Sequence, residues 1–229
     1  MTIGGFQKLS LVDYPGKVCS IIFTQGCNFR CPYCHNPELV EVKKEGAVPA
    51  EEILEYLGAK SWLLDGVCIT GGEPTLQGDL PSFIRKIKDI GLLVKLDTNG
   101  SNPTMVRELI GKNLVDYIAM DLKHPWARYG DVAHSPNRAA TENCKKTFEL
   151  IQSSGVDHEF RTTVFPQLQC EEDLFEMAGY IKEGEKYFLQ SLRYQKTLDE
   201  RIDTSRTLDV AGIVLRLREL YPKVILEAR

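Results

Sequence analysis

"VCSIIFTQGCNFRCPYCHNPEL", residues 18–39, decides how the chain is read. It opens on a strand-sized apolar run and passes directly into a polar loop holding Cys27, Cys31 and Cys34. With seven cysteines in 229 residues, that spacing arises in roughly 0.6% of shuffled chains, so the crowding needs a cause. Buried thiols are a poor one, because Asn28, Arg30 and Pro32 make the stretch polar and irregular. Two metal readings remain. Structural zinc takes four tetrahedral ligands, with His35 as the fourth. His35 directly follows Cys34, however, and adjacent residues seldom point at one ion. A cubane iron–sulfur cluster on three thiolates instead leaves one iron open to a ligand that is not protein. The loop leaves the C-terminal end of a strand, where α/β barrels build their active sites.

Working outward, β-rich runs alternate with helical patterns. Candidate strands are "VCSIIFT" (18–24), "GVCIT" (66–70), "LVKLDT" (93–98), "VDYIAMDLK" (115–123), "HEFRTTVF" (158–165) and "KYFLQS" (186–191). Candidate helices are "PAEEILEYLGAKSWLL" (49–64), "DLPSFIRKIKDIG" (79–91), "PTMVRELIGK" (103–112), "TENCKKTFELIQSSG" (141–155, with Thr141 as cap), "EEDLFEMAGYIKEG" (171–184) and "TLDVAGIVLRLRELYP" (207–222). A short run, "VILEA" (224–228), follows the last helix, and 129–138 reads as the clearest loop. Strand–helix alternation means parallel strands joined by crossover helices. Six units fall short of the eight of a full barrel. The expected fold is α/β, an incomplete (β/α)6 barrel. No linker, repeat or low-complexity tract divides the chain. One domain over 1–229 is expected, with 1–17 preceding the barrel and 192–229 as a C-terminal extension.

Composition narrows the class. A formal net charge of -4 gives no electrostatic reason to expect a nucleic-acid or anionic-membrane partner. The N-terminus lacks the basic-then-apolar order of a signal peptide, and no apolar run is long enough to span a bilayer. An odd number of cysteines does not suit a secreted disulfide framework. A cytoplasmic protein is expected, with Cys19, Cys68, Cys144 and Cys170 as free thiols.

Polar groups recur where the candidate strands end. "TGGEP" (70–74) follows the second strand, and a missing Cβ lets main chain approach a ligand closely. "LDTNG" (96–100) and "MDLK" (120–123) end the next two. Asp97, Thr98, Asp121 and Lys123 would then converge on one barrel mouth, a placement that independent turns do not readily produce.

"CNFRCPYC" (27–34) resembles the signature of radical S-adenosylmethionine (SAM) enzymes. The resemblance implies a [4Fe–4S] cluster held by Cys27, Cys31 and Cys34, with the amino and carboxylate groups of SAM on the open iron. Tyr33 would lie near the adenine, and Gly71, Gly72 and Glu73 would present backbone to the SAM amino group. "LDTNG", "MDLK" and "CHNPEL" (34–39) resemble the glycyl-radical-enzyme activases. By that resemblance Asp97, Thr98, Asp121 and Lys123 surround the methionine moiety of SAM, and the two aspartates and the threonine can also hold a monovalent cation. Arg161, in "EFRTTVFP" (159–166), would line the pocket from the far side, and Gln190 would sit near the ribose or adenine. "SLVDYPGK" (10–17) resembles the segment that precedes the cluster in activases of formate-lyase-type enzymes, with Tyr14 where those have glycine.

The whole is most similar to anaerobic ribonucleoside-triphosphate reductase activating proteins. The implied partners are a glycyl-radical enzyme, most closely that reductase, and a low-potential electron donor such as flavodoxin or ferredoxin. The alternatives are a radical SAM enzyme acting on a small molecule or peptide, deazapurine synthase-like, and a zinc-binding module using Cys27, Cys31, Cys34 and His35.

Overall fold

The computed structural model describes residues 1–43, 45–135, 139–192, 196–199, 201–203 and 205–229. The apolar run that precedes the cysteines is β2 (Cys19–Thr24), preceded by β1 (Ile3–Ser10). Six strand entries then alternate with helices: α1 (Ala50–Ala59), β3 (Gly66–Gly71), α2 (Leu80–Asp89), β4 (Leu93–Thr98), α3 (Pro103–Gly111), β5 (Tyr117–Asp121), α4 (Tyr129–Ala133), α5 (Ala140–Ser154), β6 (Asp157–Val164), α6 (Glu171–Ala178), β7 (Lys186–Ser191), α7 (Val210–Leu220) and β8 (Ile225–Ala228). The strands lie in sequence order in one open eight-stranded sheet with β1 and β8 at its edges. β1 runs antiparallel to β2, and every later pairing is parallel. Parallel neighbours need crossover helices, which cover the outer face. The result is the expected incomplete (β/α)6 barrel, lengthened by one strand at each edge.

Strand alternation divides the core in two. Ile22, Ile69, Leu96, Met120, Phe160 and Leu189 point outward and are fully buried beneath the helices. On the inner face, Tyr14, Cys19, Ile21, Cys68 and Tyr117 form a separate apolar plug. Nearer the C-terminal ends of the strands the inward positions turn polar, with Lys95 and Asp97 on β4, Asp121 on β5 and Glu159 and Arg161 on β6. The apolar plug therefore closes the floor and leaves a charged mouth.

Three sequence expectations need correction. The stretch 129–138 is not all loop: α4 occupies Tyr129–Ala133, and residues 136–138 lie outside the described ones. Its Tyr129, Val132 and Ala133 are buried at helical spacing, and His134 ends it at φ 43° where a glycine would have signalled a stop. Thr141 is not a cap, because α5 starts at Ala140 and seats Ala140 and Cys144 in the core one turn apart. The expected strands also omitted β1, whose Gly4 and Gly5 weaken strand propensity, and the edge strand β8. Among the described residues, no helix is long and apolar enough to cross a membrane.

Leu96 is fully buried on the helix-covered face, whereas Leu215 of α7 is 60% exposed. Leu96→Ala is expected to destabilise the protein by about 3 kcal/mol. Leu215→Ala should change stability by no more than about 0.5 kcal/mol. Urea unfolding midpoints followed by circular dichroism compare the two.

Candidate functional site

The cysteine loop is anchored before it reaches its first thiol. Gly26 and Cys27 donate backbone N–H groups to the carbonyls of Leu39 and Val40 at 2.8 and 3.0 Å, closing the loop on itself. Arg30 braces it by donating Nη1 to the carbonyl of Cys27 at 2.7 Å, while its backbone N–H reaches the carbonyl of Ala133 at the end of α4. Phe29 is buried in the main core, and Tyr33 packs against Phe165 with ring centroids 5.2 Å apart. The loop is polar along its length but pinned by two aromatic side chains.

The end of β3 grips the start of this loop. Gly71 has φ 113°, and a Cβ there would lie 2.4 Å from the backbone nitrogen of Thr24. A Cβ on Gly72 would lie 2.3 Å from the carbonyl oxygen of Gly26. Both glycines are needed because two backbones of this chain touch. Gly72 and Glu73 donate their N–H groups to the carbonyls of Thr24 and Gly26, each at 2.8 Å. The Glu73 side chain is completely buried and accepts hydrogen bonds from the Thr75 and Thr98 hydroxyls and from the N–H groups of Thr75 and Asn99. Burial pushes its pKa up against those bonds. It fastens β3 to β4.

Next to the loop lies a cavity of about 250 Å³. Every residue that the sequence assigns to the cluster or SAM lines it: Cys27, Cys31, Tyr33 and Cys34; Gly71, Gly72 and Glu73; Asp97 and Thr98; Asp121 and Lys123; Arg161 and Gln190. Residues that the motifs did not single out also contribute, including Phe29, Asn36, Asn99 and Thr163. Asn99, inside "LDTNG", was within reach of sequence reading. Its side chain bonds Asn28 at 3.1 Å and lies 3.9 Å from the Cys27 sulfur. Thr163 carried no signal beyond lying two residues after Arg161 on the same strand face.

The floor is a chain of ion pairs. Arg161 places Nη1 3.0 Å from Asp97 Oδ2 and Nη2 3.0 Å from Asp121 Oδ1. Lys123 Nζ takes the other Asp121 oxygen at 3.1 Å, and Lys95 pairs with Asp97 Oδ1. Burial works to raise the Asp121 pKa, but Lys123 and Arg161 outweigh it and hold the carboxyl down at about 2. Asp97 is lowered in the same way, with Arg161 and Lys95 overcoming burial. Both stay ionised at neutral pH. Burial has the opposite result for the thiols, pushing Cys27 up to about 12 and raising Cys31 and Cys34. A bound metal must displace their protons.

The chain matches the family model of the radical SAM superfamily over residues 21–178. It is 35% identical over 204 residues to a Methanocaldococcus jannaschii protein that carries the name of a glycyl-radical enzyme activating enzyme, covering 86% of this chain and 82% of that one. Against the pyruvate formate-lyase-activating enzyme of Clostridium pasteurianum it is 28% identical over 190 residues, covering 79% and 76%. Among solved structures, Streptococcus suis SuiB bound to S-adenosylmethionine superposes with a TM-score of 0.67 at 17% identity, over 91% of this chain and 49% of SuiB. The chain thus spans about half the length of SuiB, and that likeness concerns the fold. The chain belongs to the radical SAM superfamily and, within it, to the glycyl-radical enzyme activating enzymes.

The family implies a [4Fe–4S] cluster and SAM, and the donor set fits them. Among the described residues, no three His, Cys, Asp or Glu side chains meet closely enough to hold one metal ion. A four-iron cluster would not need that, because each of Cys27, Cys31 and Cys34 would bind a different iron. The three thiols border a cavity whose opposite wall is ionic, as a zwitterionic amino-acid moiety requires.

Gly71→Ala is expected to lower stability by about 2 kcal/mol or more, since the added methyl meets backbone and the φ is unfavourable. Gly78→Ala is the control, because its Cβ would meet nothing within 4 Å. Thermal unfolding of the cluster-free proteins measures the difference.

Proposed function

We propose that this activating enzyme holds a [4Fe–4S] cluster on Cys27, Cys31 and Cys34, binds SAM in the adjoining cavity, and installs a glycyl radical on an anaerobic ribonucleoside-triphosphate reductase. One observation carries the reading: three thiols, a close-packed glycine pair and an ionic floor border the same cavity. When bound, the cluster and SAM supply one-electron cleavage of the sulfonium and abstraction of a hydrogen atom from the target glycine.

The residues of the chain bind, orient and exclude water. Lys123 and Arg161 meet the methionyl carboxylate, giving the sulfonium a fixed place beside the thiol loop. The N–H groups of Gly72 and Glu73 are already donated to Thr24 and Gly26, so the carbonyls of this segment are the backbone groups that accept from the SAM amino group. Tyr33, held against Phe165, flanks the adenine, and Gln190 reaches the ribose or adenine from β7. The whole chain acts as one domain in the cytoplasm, where thiols stay reduced, and takes its electron from a flavodoxin or ferredoxin. The open edge of the barrel suits a peptide loop as the hydrogen donor.

Cys31→Ala, purified anaerobically, is expected to keep its circular dichroism spectrum and lose 5′-deoxyadenosine formation. With the unaltered enzyme, SAM, reductant and an anaerobic ribonucleotide reductase, electron paramagnetic resonance should show a glycyl-radical doublet on the reductase. Normal SAM cleavage by Cys31→Ala contradicts the ligand assignment. Radical formation on no glycyl-radical enzyme, alongside turnover of a small molecule, favours the deazapurine synthase-like alternative.

A further inference from the structure

One charge just beneath the cavity floor has no part in the scheme above. Lys95 lies two residues before Asp97 on the inner face of β4 and is 2% exposed. Lysine is almost never that buried unless something pairs with it. Its ammonium pairs with Asp97 Oδ1 and lies 3.9 Å from the buried Cys68 sulfur of β3. Burial acts to discharge it, but Asp97 and Cys68 outweigh that and keep it protonated.

With Lys95 included, the floor reads as five alternating charges: Lys95, Asp97, Arg161, Asp121 and Lys123. Each of the four aspartate oxygens already has a cationic side chain, and the Thr98 hydroxyl is donated to Glu73 Oε1 at 2.7 Å. Glu159, deeper in the lumen, lies 4.0 Å from Arg161 Nη1 and is also met by Arg229 at 3.3 Å and the Tyr117 hydroxyl at 3.0 Å. Counting Glu159 and Arg229 with them, four cations face three carboxylates, which leaves one positive charge beneath the cavity. Removing the ammonium would neutralise the floor and leave one side of Asp97 uncompensated in a buried place.

We infer that Lys95 is a positioning residue for the SAM site, a built-in counter-ion that holds Asp97, and through it Arg161, where a separate monovalent cation would otherwise have to bind. The inference rests on the reading of this cavity as the SAM site. It makes SAM binding indifferent to which monovalent salt is present. It also means that a small cation can replace the ammonium once the lysine is truncated.

The test compares the reconstituted wild-type enzyme, Lys95→Ala and Lys95→Met at equal ionic strength in choline, potassium or ammonium chloride. Wild-type affinity for SAM should agree within about twofold across the three salts, because the ionic strength is constant. In choline, Lys95→Ala should bind SAM about tenfold more weakly, with its cluster absorption unchanged. Potassium or ammonium should recover most of that loss, since the vacated space admits a small cation. Lys95→Met, which fills the space with an apolar chain, should stay weak in all three salts.

Thermal unfolding of cluster-free protein gives a second readout. Lys95→Ala should be more stable in ammonium than in choline, with no such difference in wild type. Wild-type binding that requires potassium, or a Lys95→Ala defect that is absent or equal in every salt, overturns the inference. A wild-type holoenzyme that binds no SAM in any salt overturns the site reading instead, and the unfolding comparison still tests Lys95.

Discussion

The contact between the end of β3 and the end of β2 is the constraint on which the rest of the site depends. Two consecutive glycines let the backbones meet at a distance no side chain would allow, and two N–H groups lock them together. The cysteine loop leaves β2 at that point, so its direction is set by the contact. Glu73, the next residue, carries the constraint sideways to β4 through Thr98 and Asn99. A motif that reads as a ligand-binding turn is thus also the joint of the scaffold. The structural duty falls on the N–H groups and on the missing side chains, which limits what could replace these residues.

Charge distribution inside the barrel follows from the same geometry. Strand alternation sends every second side chain into the lumen, and the chain fills the lower layer with Tyr14, Ile21 and Tyr117. An apolar plug below and a helix-packed wall outside leave the carboxylates and cations above it partly desolvated. Ion pairs there are held more firmly than on an open surface, and each needs its partner. Alternating the charges from Lys95 to Lys123 satisfies that demand and fixes the side chains before any ligand arrives. Preorganisation of this kind is what a radical reaction needs from its protein, since the cofactors carry the chemistry and the protein sets position.

Much of this was legible in the sequence because the motifs sit at strand ends, and strand ends in a parallel barrel converge. The three cysteines, "TGGEP", "LDTNG" and "MDLK" each follow a strand whose apolar character is plain. What was not legible depends on contacts between distant residues. The reason for Gly71 lies at Thr24, and the use of the Thr98 hydroxyl lies at Glu73. Lys95 sits in an apolar strand pattern, where a lysine reads as a solvent-facing position; the barrel turns that face inward. β1 was missed because two glycines and alternating polar residues weaken its signal, although pairing with β2 suffices to order it. The short α4 was hidden by its closing histidine.

The central claim is that three thiolates hold a four-iron cluster and leave one iron to a small molecule. Mössbauer spectroscopy of protein reconstituted with iron-57, recorded before and after addition of SAM, tests it most directly. One iron of the four should change its isomer shift when SAM is added, while the other three keep theirs. Four irons that all ignore SAM would contradict the account, as would a site that takes up a single metal ion and no sulfide.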